Sequence, residues 1–469
     1  MTFEDRLIRR RTRRHFFEDC GIGVGKAALA SLLGERMFAG AHFPARVDHV
    51  IYLFMCGGPS QLELFDYKPE LVKYDAQVAP ESLLKGKRFA FMDTFSKEPL
   101  KLLGSRRTFT RHGRSGMYFS DLLPNVGRLS DELVRLHGVS TENFNHGPAK
   151  LFVNTGSVRA GRPSLGSWVT YGIGSDSKDL PGFVVLQSGP RGPRSGAALW
   201  SSGFLPTAHQ GVPFRSTGDP ILNLSNPSGV SPEQQKQTIE ALKDLNAMAL
   251  RDSGDSEIET RMAQYEMAFR MQTSGPELID FSRESRETLA MYGADPGSPK
   301  AAYANNCLLA RRLVERGVRF VQLYHADWDH HDDLTRPLDE VAREVDQPTA
   351  ALIADLKRRG LLDRTLVIWG GEFGRTPMGE VREKGKIGRN HHIDAYSLFM
   401  AGGGLKHGVE VGATDELGFS PTDRIHIHDV QATVLHLLGL DHTKLTYRLQ
   451  GRDFRLTDVS GEVIKRALA

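Results

Sequence analysis

Ten consecutive residues, Tyr324-His325-Ala326-Asp327-Trp328-Asp329-His330-His331-Asp332-Asp333, contain seven side chains that can bind a metal through oxygen or nitrogen. An imidazole and a carboxylate at close spacing suit Zn²⁺ or Mn²⁺, and the carboxylates alone would suit Ca²⁺. The same composition also fits a solvated acidic loop with surface histidines. A second run, Trp369-Gly370-Gly371-Glu372-Phe373-Gly374-Arg375-Thr376-Pro377, holds Glu372 between glycines with Arg375 close by. Glycines let the backbone approach a ligand, although a turn with a structural Glu–Arg pair reads the same way. A third run, Gly388-Arg389-Asn390-His391-His392, offers two adjacent imidazoles. Imidazole is the commonest metal-ligating side chain.

Two earlier segments carry further candidates. Cys56-Gly57-Gly58-Pro59-Ser60-Gln61, with Asp66, reads as a tight turn, and Cys56 there reads as a buried thiol rather than a reactive one. Asn143-Phe144-Asn145-His146-Gly147-Pro148-Ala149-Lys150 reads as a helix start with polar caps. A helix N-terminus also favours anions, which makes Asn145, His146 and Lys150 candidates for chemistry.

These runs need elements to position them. Apolar stretches at 47–55, 133–139, 183–186, 318–324, 366–369 and 396–400 read as strands. Two of the candidate runs follow such strands directly. Helices are expected from Ser231-Pro232 to about Arg251, over 256–295, over 303–316 and over 336–359. Strands alternating with helices predict an α/β fold, a mostly parallel sheet with helices on both faces. Ligand sites in such folds lie at the carboxyl ends of strands. Residues 155–230, rich in Gly, Ser and Pro, are expected as long loops near the site.

Composition sets the outer limits. The chain has 469 residues, 40% hydrophobic and 25% charged, and is too apolar to be mainly disordered. Three cysteines allow at most one disulfide. The net charge of +3 lies wholly in residues 1–41, which hold 8 Lys/Arg and 5 Asp/Glu. No basic face for nucleic acid is therefore expected. In that N-terminal stretch, Arg13-Arg14-His15-Phe16-Phe17 matches a twin-arginine signal, followed by a weakly apolar run and by Ala39-Gly40-Ala41 as a cleavage site. The expectation is export to the periplasm or cell surface, with 1–41 removed. A basic amphipathic helix is the other reading of this stretch. No segment is apolar and long enough to span a bilayer. Residues 42–469 are expected as one domain with a loop and helical insertion at about 157–300.

Taken in order, GGPSQLELFDYKP (57–69), NHGPAKLFVNTG (145–156), DWDHH (327–331), GGEFGRTP (370–377), GRNHH (388–392), AGGG (401–404) and the segment 428–453 resemble the alkaline phosphatase and sulfatase superfamily. Within it they are most similar to a group of exported bacterial sulfatase-like proteins. The resemblance runs from about residue 45 to the C-terminus and implies an alkaline-phosphatase-like fold. It implies a metal held by Asp329 (or Asp327), His331 and His391 (or His392). A second metal would use a strand-end pair, here Glu372-Phe373, and an acidic residue after the first strand, here replaced by Cys56-Gly57. Phe373 cannot ligate, and Ser60 and Asp66 sit off the expected place, so one divalent ion is expected rather than two.

The resemblance also places His146 where sulfatases carry the formylglycine precursor, and Lys150 where they carry an arginine. It therefore implies a hydrolase of sulfate or phosphate esters, on saccharides, that works without formylglycine. His146 would be nucleophile or general acid/base, and Lys150 and Arg375 would neutralise the transferred group. The alternatives are a metal- and polysaccharide-binding member of the fold without turnover, and another enzyme of the same superfamily, such as a phosphonate hydrolase or mutase.

Overall fold

A computed structural model describes residues 40–85, 99–215, 221, 226, 229–253 and 256–469. The twin-arginine run and Cys20 lie outside these residues. Among the described residues no helix is long and apolar enough to cross a membrane.

The apolar runs build one nine-stranded sheet. Its strands are β1 (His49–Met55), β2 (Leu133–Ser140), β3 (Phe183–Ser188), β4 (Val212–Pro213), β5 (Phe320–His325), β6 (Thr365–Gly370), and, after a hairpin made of β7 (Gly374–Glu383) and β8 (Lys386–His392), β9 (Tyr396–Gly402), β10 (Val409–Val411) and β11 (Ile425–His426). The spatial order is β10-β2-β9-β6-β1-β5-β3-β4, with β11 also on β2. All pairs are parallel except those of β9, which runs antiparallel to β2 and β6.

Both faces of this sheet are covered, which is why its central strands read as unbroken apolar runs rather than alternating ones. In β1, Ile51, Leu53 and Met55 pack into one core and Val50, Tyr52 and Phe54 into the other. The first core is closed by α6 (Ala302–Glu315) and α7 (Thr335–Arg358), the second by α1 (His146–Thr155), α2 (Leu165–Ile173) and α8 (Ile427–Leu437).

Two expectations change in detail. The stretch 155–230 is not all loop, since besides the expected strand β3 it holds α2 and the short strand β4. The helix expected over 256–295 is broken. α4 (Ser256–Ile279) ends before Asp280, whose side chain accepts from the Ser282 N–H, and α5 (Arg286–Tyr292) starts afresh under Ser285. α3 (Pro232–Ser253) begins where its sequence signals it, with Ser231 and Gln234 each bonding the other's backbone N–H.

Gly57, two residues past β1, packs on the chain just beyond β5. It has φ +124°, and a Cβ there would lie 2.7 Å from the backbone at Trp328 and Asp329. Its N–H donates to the Glu372 carboxylate at 3.0 Å. Gly57→Ala is expected to lower stability by about 1–3 kcal/mol through this forced backbone conformation. Urea unfolding checks it, and an unchanged midpoint would contradict the packing described.

Candidate metal centre

The expected runs meet at the carboxyl end of the sheet. β5 delivers the segment 326–333 with Asp329 and His331, α1 delivers His146 at its first turn, and the β7–β8 hairpin delivers His391. One donor atom from each of His146, Asp329, His331 and His391 lies within 4.8 Å of the others. Among the described residues this is the one group of three or more such side chains so arranged.

Each imidazole is held by its outer nitrogen. His146 Nδ1 faces Glu372 Oε1 at 2.7 Å, His331 Nδ1 faces Glu380 Oε2 at 2.6 Å, and His391 Nδ1 faces the Phe144 carbonyl at 2.6 Å. These partners only accept, so each Nδ1 carries the proton and each Nε2 presents a lone pair. The Nε2 atoms converge on Asp329. They stand 3.0 Å (His146), 2.9 Å (His331) and 3.2 Å (His391) from its carboxylate oxygens, and those of His331 and His391 are 2.9 Å apart. The buried His146 Nε2 is close to Asp329 yet makes no hydrogen bond of acceptable angle. Lone pairs facing lone pairs and a carboxylate repel unless a proton or a cation lies among them.

The electrostatics express the same demand. Burial opposes ionisation of Asp329, yet the Arg375 guanidinium and the close contact with the three imidazoles hold its carboxyl far below the usual range. Burial also disfavours protonated His146, but the nearby Asp329 and Glu372 carboxylates outweigh this and raise its pKa. His391 goes the other way, pushed down to about 3 by burial, with Arg375 adding to the effect against the nearby Asp329 carboxylate. Burial raises Glu380, and bonding to His331 more than reverses it. Glu372 behaves likewise through His146 and Lys150.

The strand pattern decides between neighbours. Adjacent residues of a strand face opposite sides, so only one of His391 and His392 can join the centre. His391 does, while His392 turns to the Phe419 carbonyl at 2.8 Å. Asp327, with φ +79°, points outward and pairs with Arg191 at 2.9 Å. Glu372 stands behind His146 rather than among the converging atoms. Lys150 Nζ lies 3.7 Å from Glu372, buried. Arg375 is buried, with bonds to the Gly57, Gly58, Trp328 and Arg389 carbonyls and to Asp329. Asn145 caps α1 by accepting the Gly147 N–H at 3.3 Å. Ser60 pairs with Glu63, and Asp66 with His137 and Ser397. Neither reaches the centre. Phe373 packs its ring on His391 and His146, with centroids 4.4 and 5.0 Å away. The Cys56 thiol is buried and pushed up by that burial.

Glu380 and the Phe144 carbonyl were not visible as participants in the sequence. Glu380 sits on a strand outside the sheet, eight residues past Glu372. A small cavity of about 20 Å³ opens against His146, Asp329 and Lys150, bordered by Asp327, Arg191 and Arg194. Replacing Glu380 or Glu372 by Gln is expected to weaken zinc binding by about 10–100-fold, because each fixes the ring of a converging imidazole. Isothermal titration with zinc checks it, and unchanged affinity in both variants would contradict the roles described.

Comparison with known proteins gives three findings. No curated protein sequence matches the chain. Among solved structures it is similar to the PsFucS1 sulfatase from Pseudoalteromonas sp., at 13% identity over 84% of this chain and 68% of that one, with a TM-score of 0.36. It is also similar to a protein in the alkaline phosphatase superfamily from Vibrio parahaemolyticus (12% identity, 86% and 70% covered, TM-score 0.33) and to the lipoteichoic acid synthase LtaP from Listeria monocytogenes (10%, 88% and 76%, TM-score 0.36). At such identities and TM-scores their activities do not carry over to this chain. The family model described as "Protein of unknown function (DUF1501)" matches residues 47–468, the sheet and every residue of the centre included. The chain belongs to the DUF1501 family.

Proposed function

We propose that the protein is an exported hydrolase of sulfate or phosphate esters, on saccharides, with one divalent metal held by His146, Asp329, His331 and His391. The observation that carries this reading is the set of three imidazole Nε2 lone pairs directed at one carboxylate, each ring held by an acceptor at Nδ1. Three imidazoles with one carboxylate suit zinc or manganese, whereas calcium prefers an all-oxygen shell. Phe373 fills the place of a second site's ligand, which favours a single ion.

When bound, such an ion would polarise the ester oxygen and lower the pKa of water. The chain's own groups do the rest. Glu372 and Glu380 hold the Nδ1 protons of His146 and His331. Arg375, buried and bonded to backbone carbonyls and Asp329, fixes that carboxylate and is screened from a ligand by its burial. Lys150 balances buried Glu372 and faces the cavity, where it neutralises charge on the transferred group. His146 thus acts as a ligand rather than as the nucleophile its place in the motif suggests. The thiol of Cys56 is held protonated by burial, which supports chemistry without an oxidised cysteine. The match of Arg13-Arg14-His15-Phe16-Phe17 to an export signal supports a site of action outside the cytoplasm.

One observation favours the binding-protein reading. Four protein donors make a closed set, as in structural metal sites, and the cavity beside it is small. Metal content and turnover of 4-nitrophenyl sulfate and 4-nitrophenyl phosphate separate the two. Lys150→Ala is expected to keep the metal and lose about 10²–10³-fold in kcat, while His146→Ala loses both metal and activity. Full metal in His146→Ala without activity would return that residue to the nucleophile role. A metal-loaded wild type inert on every ester tried would leave the binder.

The export reading has its own check. Changing Arg13 and Arg14 together to Lys is expected to keep the protein in the cytoplasm with residues 1–41 attached, seen by cell fractionation and N-terminal sequencing. Normal secretion of that double variant would overturn it.

A further inference from the structure

The loop after β3, residues 189–195, lines one side of the cavity and brings Arg191 and Arg194 to its border. It is fastened at both ends of this span. Arg191 pairs with Asp327 at 2.9 Å, and the Ser195 hydroxyl donates to the Gly147 carbonyl at the start of α1, at 3.4 Å. Both arginines are exposed, and Arg194 has no ion pair among the described residues.

Three cations border this cavity, and they lie at two depths. Lys150 is buried at the inner end, 3% exposed, beside Glu372 and His146. Arg191 and Arg194 stand at the outer end, where solvent enters. Arg375 does not add to either group, since its donors already meet four backbone carbonyls and Asp329. A ligand with one anionic group would satisfy the inner cation and the centre alone. It would leave Arg194 without an anion and Arg191 on Asp327 alone, although guanidinium forks recognise phosphate, sulfate and carboxylate groups in bidentate fashion.

We propose that Arg191 and Arg194 form a second anion subsite that reads a further sulfate, phosphate or carboxylate on the part of the substrate outside the reacting ester. The substrate class is then a polyanionic saccharide rather than a singly charged ester. This rests on the hydrolase reading of the centre. Asp327 serves as the resident anion on Arg191, to be exchanged for the ligand's group on binding. No bond is made or broken at this subsite, so its effect is on affinity and selectivity.

The test is isothermal titration of the zinc-loaded full chain with inorganic phosphate, glucose 1-phosphate and glucose 1,6-bisphosphate, with zinc content measured for every variant. The wild type is expected to bind the bisphosphate at least about 10-fold tighter than the monophosphate, the yield of one charge-assisted contact. Arg191→Gln and Arg194→Gln are each expected to remove about that factor for the bisphosphate, leaving monophosphate affinity and zinc content unchanged. Equal affinity of the wild type for the two sugars, or equal losses on both in the arginine variants, would overturn the proposal. So would the absence of binding to either sugar. Lys150→Ala tests the underlying reading separately. Unaltered phosphate affinity in that variant would sink the hydrolase centre, while the arginine variants would still report on the subsite.

Discussion

A half-buried carboxylate faced by three imidazole lone pairs cannot stand without positive charge among them. Asp329 is the carboxylate, and His146, His331 and His391 are the imidazoles. One guanidinium, Arg375, supplies part of the charge from the side, at 2.7 Å. It cannot supply the rest, because its other donors hold backbone carbonyls around the same point. The raised pKa of His146 expresses that need, and a divalent ion among these donors would meet it. Such a cation must be matched by anions further out, and buried Glu372 and Glu380 provide them. A removed partner in a cluster of this kind leaves an uncompensated buried charge, which costs about 3–5 kcal/mol.

Much of the surrounding structure serves to bring these groups within reach. The parallel sheet aligns the ends of β1, β5 and β6, so that residues far apart in sequence emerge side by side. The β7–β8 hairpin then folds over this edge. It is tied down by the buried Arg389–Glu63 pair at 2.7 Å and by Gln61, which donates to the Arg375 carbonyl and accepts its N–H, both at 2.8 Å. Gly388 lets the hairpin close on the segment carrying His331, where a Cβ would lie 2.1 Å from the His331 carbonyl. Phe373 packs against two of the imidazoles, which restricts their rings and keeps water away from that side.

The sheet was largely legible because strands buried on both faces have little choice of composition. The runs at 47–55, 318–324 and 366–369 could not alternate polar residues, so they stood out. Asp329 and His331 were legible for a related reason, as polar residues placed directly after such a strand. Other features depended on tertiary structure. Whether His391 or His392 turned inward required the register of β8, which two adjacent histidines do not reveal. Glu380 gave no sign, since its role arises when a hairpin outside the sheet lays it against His331. His146 looked like a helix cap or a nucleophile, because the sequence shows its neighbours but not the three Nε2 atoms that meet it. The helix boundary at Asp280 and Ser285 was written in capping residues, but the helical periodicity on both sides masked it.

X-ray absorption spectroscopy of the zinc-loaded protein tests the central claim most directly. The account predicts one zinc per chain, with three imidazole nitrogens and one carboxylate oxygen at about 2.0–2.2 Å, the distances usual for this ion. It further predicts that His392→Ala leaves the spectrum unchanged and that His391→Ala removes one imidazole shell. A spectrum with fewer than three imidazoles in the wild type, or with zinc–zinc scattering from a paired site, would contradict it.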